Sequence, residues 1–169
     1  MVVGWAASII FQSKNMSEIK EYKLFINGKW QDSLSGELDT VFNPTTEEVV
    51  GKVQNGNEQD AELALQAAEV AQKSWRNTPP RKRAELLFNL AQEIKKNSEY
   101  LANLLVREQG KLLKVAKMEV AVTASFIEYA CEGARRIEGD IIPSDNPGEQ
   151  IWIQKVPKGV VVAITAWNF

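Results

Sequence analysis

Hydrophobic and polar positions divide the chain into a strand-like front, a helical middle and a strand-like end. Residues 22–30, Tyr-Lys-Leu-Phe-Ile-Asn-Gly-Lys-Trp, set an Asn-Gly pair between two short hydrophobic runs. That pattern predicts a two-residue hairpin, because a type I′ turn needs positive φ at both central positions. A second hairpin is expected over residues 38–53, where Asp39-Thr40-Val41-Phe42 leads into an Asn43-Pro44 turn and Val49, Val50 and Val53 lead back. From Asn57 the period becomes helical. Asn57 can cap, Asp60 makes the first turn acidic, and Leu63, Ala67, Val70, Ala71 and Trp75 share a face up to an end near Trp75.

Thr78-Pro79-Pro80 breaks the chain and opens a second helix with proline in its first turn, its apolar stripe carried by Ala84, Leu87, Leu90, Ala91 and Ile94. Asn97-Ser98 separates it from a third helix over residues 99–109, with Leu101, Leu104 and Leu105 inward and Gly110 as the stop. A fourth helix is expected from about residue 112 to 137. Its stripe comprises Val115, Met118, Val122, Phe126 and Tyr129 with Cys131 nearby, most of it expected in the core, and Arg135 and Arg136 suit the negative end of its dipole. Residues 143–148 are a loop by composition, and residues 149–156 alternate as a strand with one apolar and one wet face. The chain closes on residues 159–169, a continuous apolar run entered through Pro157 and Gly159. This predicts a strand buried on both faces, the kind parallel sheets use, with Trp167 and Asn168 just past its carboxyl end, where open α/β sheets hold ligands.

Composition narrows this picture chiefly by exclusion. A chain of 169 residues with 44% hydrophobic and 25% charged residues and a formal net charge of −2 carries no electrostatic footprint for nucleic acid or anionic membranes. Cys131 is the single cysteine and histidine is absent, which removes disulfide frameworks, structural zinc sites and histidine-based triads and makes a reducing, cytoplasmic setting the default. Val2 to Phe11 are mostly apolar, but no positive charge precedes them and the run is too short to span a bilayer; they read as a disordered tail or an extension upstream of Met16. Glycine-rich phosphate loops and metal-ligand pairs are missing. Arg81, Lys82 and Arg83 cluster at a helix start, where the dipole disfavours them, and read as a solvated face.

By residue type alone, Asn168 is a neutral donor held at a strand end, suited to a developing oxyanion and equally to satisfying its own turn. Cys131 sits on a predicted helix with no histidine as base, the setting of a small buried hydrophobe rather than a nucleophile.

The run Ile164-Thr165-Ala166-Trp167-Asn168-Phe169 resembles the Pro-Trp-Asn-Phe/Tyr turn of NAD(P)-dependent aldehyde dehydrogenases, with Ala166 where that family usually has proline. Asn27-Gly28-Lys29-Trp30 followed by Asn43-Pro44-Thr45-Thr46 is similar to the family's amino-terminal region, and the likeness runs in order from Lys23 to Phe169. The resemblance implies an α/β fold of helices and hairpins plus the first strand of a Rossmann-like parallel sheet, truncated. Residues 1–21 then stand outside it, residues 22–158 form a helical region with oligomerisation strands, and residues 159–169 supply the first strand and turn of an incomplete cofactor-binding sheet. In the family the strand matching residues 149–156 shares a sheet with the early hairpin.

The implied reaction oxidises a small aldehyde to a carboxylic acid. A cysteine thiolate adds to the aldehyde, Asn168 stabilises the oxyanion, hydride passes to NAD or NADP, and a glutamate-activated water hydrolyses the thioester. Ile164, Thr165, Ala166 and Trp167 are carried over as cofactor-contacting positions, partly through main chain. Nucleophile and glutamate lie beyond Phe169 by the same analogy, so the chain alone is expected to be inactive. Residues 139–149 look like the branch acting on lactaldehyde, glycolaldehyde or succinate semialdehyde, and a homo-oligomer is implied for the complete protein. Val122, Phe126 and Tyr129 fall where relatives border a substrate tunnel. Thr40, Val41 and Glu108 fall where some relatives hold a structural cation, but two carbonyls and one acid underdetermine a metal site, and no metal is assigned. The competing reading is a non-catalytic interaction or oligomerisation fragment built on the hairpin and the Ile151-Trp152-Ile153 strand.

Overall fold

The structure, a computed structural model, describes residues 19–165. Its strands are β1 (Lys20–Tyr22), β2 (Leu24–Ile26), β3 (Lys29–Gln31), β4 (Leu38–Phe42), β5 (Val49–Gln54), β6 (Asp140–Pro143) and β7 (Gln150–Ile153). Between β5 and β6 run four helices, α1 (Glu58–Trp75), α2 (Pro80–Lys96), α3 (Ser98–Gln109) and α4 (Leu113–Gly133).

The Asn-Gly hairpin forms as expected. β2 and β3 pair antiparallel, and the turn between them has Asn27 at φ 52° and Gly28 at φ 76°, the left-handed values a type I′ turn demands. Phe25 faces Trp30 across the pair, edge to face at 4.7 Å, a contact of about 1 kcal/mol beyond its buried area. The second hairpin also forms, β4 antiparallel to β5 with a register shift between Val41 and Phe42. β1 adds itself parallel to the other side of β5, giving the order β1-β5-β4, a pairing that no local pattern announces.

Each helix start follows its sequence signal. Asn57 and Asp60 form a reciprocal capping box on α1. Pro80 occupies the first turn of α2, and Gly110 ends α3 at φ 66°. Arg83 donates to the Thr78 carbonyl at 2.9 Å, while Arg81 and Lys82 pair with Glu85 in solvent. α4 stops at Gly133, four residues before the expected 137, and leaves Arg135 and Arg136 outside the helix.

The core sits where α4 crosses α2 and α3. It is built on small residues: Ala91, Ala102, Ala116 and Ala124 are wholly buried, joined by Val120, with Ile94, Leu101, Leu105 and Val106 packed around them. This corrects the expected face of α4. Val115, Met118, Val122, Phe126 and Tyr129 lie on the exposed side, because α4 is apolar on both sides and the bundle uses the alanine side, which lets helix backbones approach closely. α1 similarly leaves Leu63 and Val70 exposed and buries only Asp60.

β7 pairs antiparallel with β6, a strand hidden in the sequence by its neighbouring loop; within this chain neither pairs with β2 or β3, and all eight residues of the pair are exposed. Residues 154–165 belong to no helix or strand, so the expected strand over 159–165 does not form among the described residues, and Val161, Val162 and Ile164 stand in solvent. A strand buried on both faces needs a neighbour on each edge and a layer on each side, and no other described strand lies beside this run.

Candidate functional site

Of the residues singled out for cofactor and catalysis, Ile164 and Thr165 are described, and Ala166, Trp167 and Asn168 lie outside the described residues. Ile164 is 92% exposed and Thr165 is exposed in irregular chain, so the described end forms no walled crevice. The described residues build their clefts elsewhere, two of them on α4 and between β5 and α3, together with a buried polar cluster.

A cleft of about 330 Å³ opens on the outer side of α4, lined by Val122, Ser125, Phe126 and Tyr129. Helical spacing brings these four together, and the structure adds Ser125 to the three residues already suspected of bordering a tunnel. The Ser125 hydroxyl donates to the Ala121 carbonyl at 3.2 Å, which turns its polarity back into the helix. Cys131 is half-buried on the same helix. Its thiol donates to the Ile127 carbonyl at 3.1 Å, and burial pushes its pKa up, so it stays a thiol rather than a nucleophilic thiolate.

The second cleft, about 290 Å³, lies between β5 and α3 and is lined by Tyr22, Val41, Val50, Gly51, Val53, Leu104 and Glu108. Tyr22 covers Gly51 so closely that an added Cβ there would stand 3.0 Å from its ring. Burial pushes the Tyr22 phenol up to about 12, with its hydrogen bond to Tyr100 contributing in the same direction, so it is a donor and never a base near neutral pH. Val41 and Glu108 share this cleft, while Thr40 lies exposed on β4. Among the described residues no group of three His, Cys, Asp or Glu is placed to hold a metal ion.

The third feature is a buried carboxylate. Asp60 accepts the Ser33 hydroxyl at 2.6 Å, the Leu34 amide at 3.1 Å and the Asn57 amide at 3.0 Å, and is 3% exposed. Those bonds, the one from Ser33 foremost, hold its pKa below the ordinary aspartate value. Ser33 in turn takes the Gln54 side-chain oxygen on its amide at 2.7 Å, so one carboxylate ties the 33–35 turn, the end of β5 and the start of α1. With every contact satisfied internally, this is a structural clamp and offers nothing to a substrate. Residue order did not reveal it, because Ser33 and Asp60 are 27 positions apart.

No helix among the described residues is long and apolar enough to cross a membrane. Comparison with known proteins places the remaining weight. The model of the aldehyde dehydrogenase family matches residues 30–169. The 3,6-anhydro-alpha-L-galactose dehydrogenase of Vibrio sp. (strain EJY3) is 57% identical over 151 residues, which are 89% of this chain and 32% of that protein. The lactaldehyde dehydrogenase of Escherichia coli (strain K12) is 38% identical over 154 residues, 91% of this chain and 32% of that one. A solved structure of 3,6-anhydro-L-galactose dehydrogenase in complex with NAP superimposes with a TM-score of 0.83 at 53% identity, covering 88% of this chain and 31% of that chain. The chain thus spans about a third of the length of the relatives it matches, over their amino-terminal part. With a match that runs from Trp30 through the Trp167-Asn168-Phe169 motif, the chain belongs to the aldehyde dehydrogenase family.

Proposed function

We propose that this chain is the amino-terminal part of an enzyme that oxidises a small aldehyde to its carboxylic acid with NAD or NADP, through a cysteine-bound thiohemiacetal and thioester. The observation that carries this reading is the family match over residues 30–169, which includes the Trp167-Asn168-Phe169 motif. Asn168 serves as the oxyanion donor, its side-chain amide stabilising the charge that develops when a thiolate adds to the carbonyl. The thiolate and the base that activates water come from chain beyond Phe169, since Cys131 is held as a half-buried thiol.

Small hydroxyaldehydes and semialdehydes, such as lactaldehyde, glycolaldehyde or succinate semialdehyde, are the substrate class, supported by the Gly139-to-Glu149 stretch and by the name of the lactaldehyde dehydrogenase relative. The complete protein works as a homo-oligomer, a reading supported by the exposed β6–β7 pair, and the single cysteine suits a reducing, cytoplasmic setting.

The described residues do not fit a dinucleotide by themselves. Ile164 stands almost fully in solvent and no described strand lies beside the 154–165 stretch, which supports the reading that the cofactor site is completed by further chain. Titrating the 169-residue chain with NAD and NADP by calorimetry is expected to show no saturation at micromolar concentrations; tight binding would contradict the incompleteness of the site. In the longer protein, Asn168→Ala is expected to lower kcat about a hundredfold, the usual cost of losing one oxyanion donor. Unchanged turnover would remove Asn168 from the reaction.

A further inference from the structure

An asparagine followed by glycine can react with its own backbone, because no side chain on the glycine hinders its amide nitrogen from attacking the asparagine carboxamide. The sequence places this pair twice, at Asn27-Gly28 and at Asn55-Gly56, and both asparagines are exposed. Exposure therefore does not tell them apart. The hold on the peptide group that supplies the nitrogen does.

Asn55 is pinned. Its carbonyl accepts the Ser35 hydroxyl at 2.6 Å and its amide donates to the Glu37 carbonyl at 3.0 Å. A Cβ built on Gly56 would stand 3.9 Å from both Asp60 and Leu24, so this peptide is packed beside the buried Asp60 clamp and cannot turn without disturbing it. Around Asn27 the opposite holds. Among the described residues no turn or loop hydrogen bond reaches the peptide joining Asn27 to Gly28, and a Cβ on Gly28 would meet nothing within 4 Å. The left-handed φ of 52° at Asn27 belongs to the closed turn. That turn is held by two three-residue strands, the Phe25–Trp30 ring contact and the Lys23–Asp32 bridge in solvent, and so short a two-stranded pair opens readily.

We propose that Asn27 is a deamidation site, reached when the β2–β3 turn opens, and that Asn55 is spared. In the open turn the Gly28 nitrogen bonds to Asn27 Cγ, the Cγ–Nδ2 bond breaks, and ammonia leaves with the proton given up by the Gly28 amide. Water then opens the resulting five-membered imide. Cleavage of its Cγ–N bond gives aspartate, and cleavage at the Asn27 main-chain carbonyl gives isoaspartate. Aspartate keeps the turn, since Asp-Gly suits the same conformation. Isoaspartate lengthens the main chain by one carbon, which takes β2 and β3 out of register and separates Phe25 from Trp30. Its free carboxylate is the group that an isoaspartyl methyltransferase esterifies, so the hairpin becomes a substrate for repair as the protein ages. Nothing in this depends on the aldehyde reaction.

The test incubates the 169-residue chain at neutral pH over weeks and follows each asparagine by peptide mass spectrometry and by enzymatic methylation of isoaspartyl carboxylates. Conversion at Asn27 is expected to outrun that at Asn55 about tenfold or more. Trp30→Ala, which removes one ring of the cross-strand contact, should speed Asn27 severalfold and leave Asn55 unchanged, whereas Ser35→Ala should speed Asn55 and leave Asn27 unchanged. The isoaspartyl fraction, separated by ion exchange, should lose the nuclear Overhauser contact between Phe25 and Trp30, while Asn27→Asp keeps it. The proposal is overturned by equal rates at the two asparagines, by an Asn27 that stays amidated while a free peptide of residues 22–32 converts, or by a Trp30→Ala rate no higher than that of the unaltered chain.

Discussion

At the residue scale the clearest lesson comes from Asp60. Sequence showed an acid in a first turn, and the structure gives it three donors and a place in the interior. Its cap role was legible because Asn57 and Asp60 are three residues apart; its bond to Ser33 was not, because nothing in a strand-like stretch foretells which helix start it will meet. An unfolded aspartate titrates near pH 3.9 and the folded one lower. The bonds therefore contribute their full stability above that value and lose it as pH falls through the folded pKa. Asp60→Asn is expected to melt about 5 °C lower than the unaltered chain at pH 7, with the difference shrinking below pH 4. Thermal melts of both proteins from pH 7 to pH 3 check this; a difference that stays constant with pH would mean that the carboxylate charge is not what the clamp uses.

Elements were legible where a local signal set their ends. Asn27-Gly28 fixed the first hairpin, Pro79-Pro80 the start of α2 and Gly110 the end of α3. Elements whose identity depends on distant partners were not. β1 exists because β5 offers it an edge, and β6 because β7 returns beside it; conversely the valine-rich run at 160–162 remains irregular for want of neighbours. The β6–β7 pair also hangs on one glycine. A Cβ at Gly139 would stand 2.0 Å from the Ile153 carbonyl oxygen, and backbone on both sides leaves no flexible atom to yield. Gly139→Ala is expected to separate the strands while leaving the helices intact. Amide exchange over residues 140–153 would rise severalfold and far-ultraviolet helix signal would stay unchanged; equal exchange in both proteins would show that the approach relaxes without cost.

For the whole molecule, the split between what was read and what was missed follows burial. Among the described residues, large apolar side chains stand in solvent on α1, on α4, on the β6–β7 pair and along the irregular 154–165 stretch, Val70, Phe126, Tyr129, Trp152 and Ile164 among them. Among the described residues no large side chain is fully buried, and the packed centre is one alanine-lined crossing of α2, α3 and α4. Periodicity identified α4 as apolar, yet could not choose its inner face, because both faces are apolar and only the alanine side fits helices at close range. Stability must then be uneven. Amides of α2, α3 and α4 open only with the core, whereas β6–β7, which touches no other element of substance, opens alone. Hydrogen exchange on the isolated chain should show protection concentrated in residues 84–130, with β6, β7 and residues 154–165 exchanging roughly a hundredfold faster or more. Protection of β6–β7 equal to that of α4 would require a partner on those strands and would make the isolated chain an assembled species.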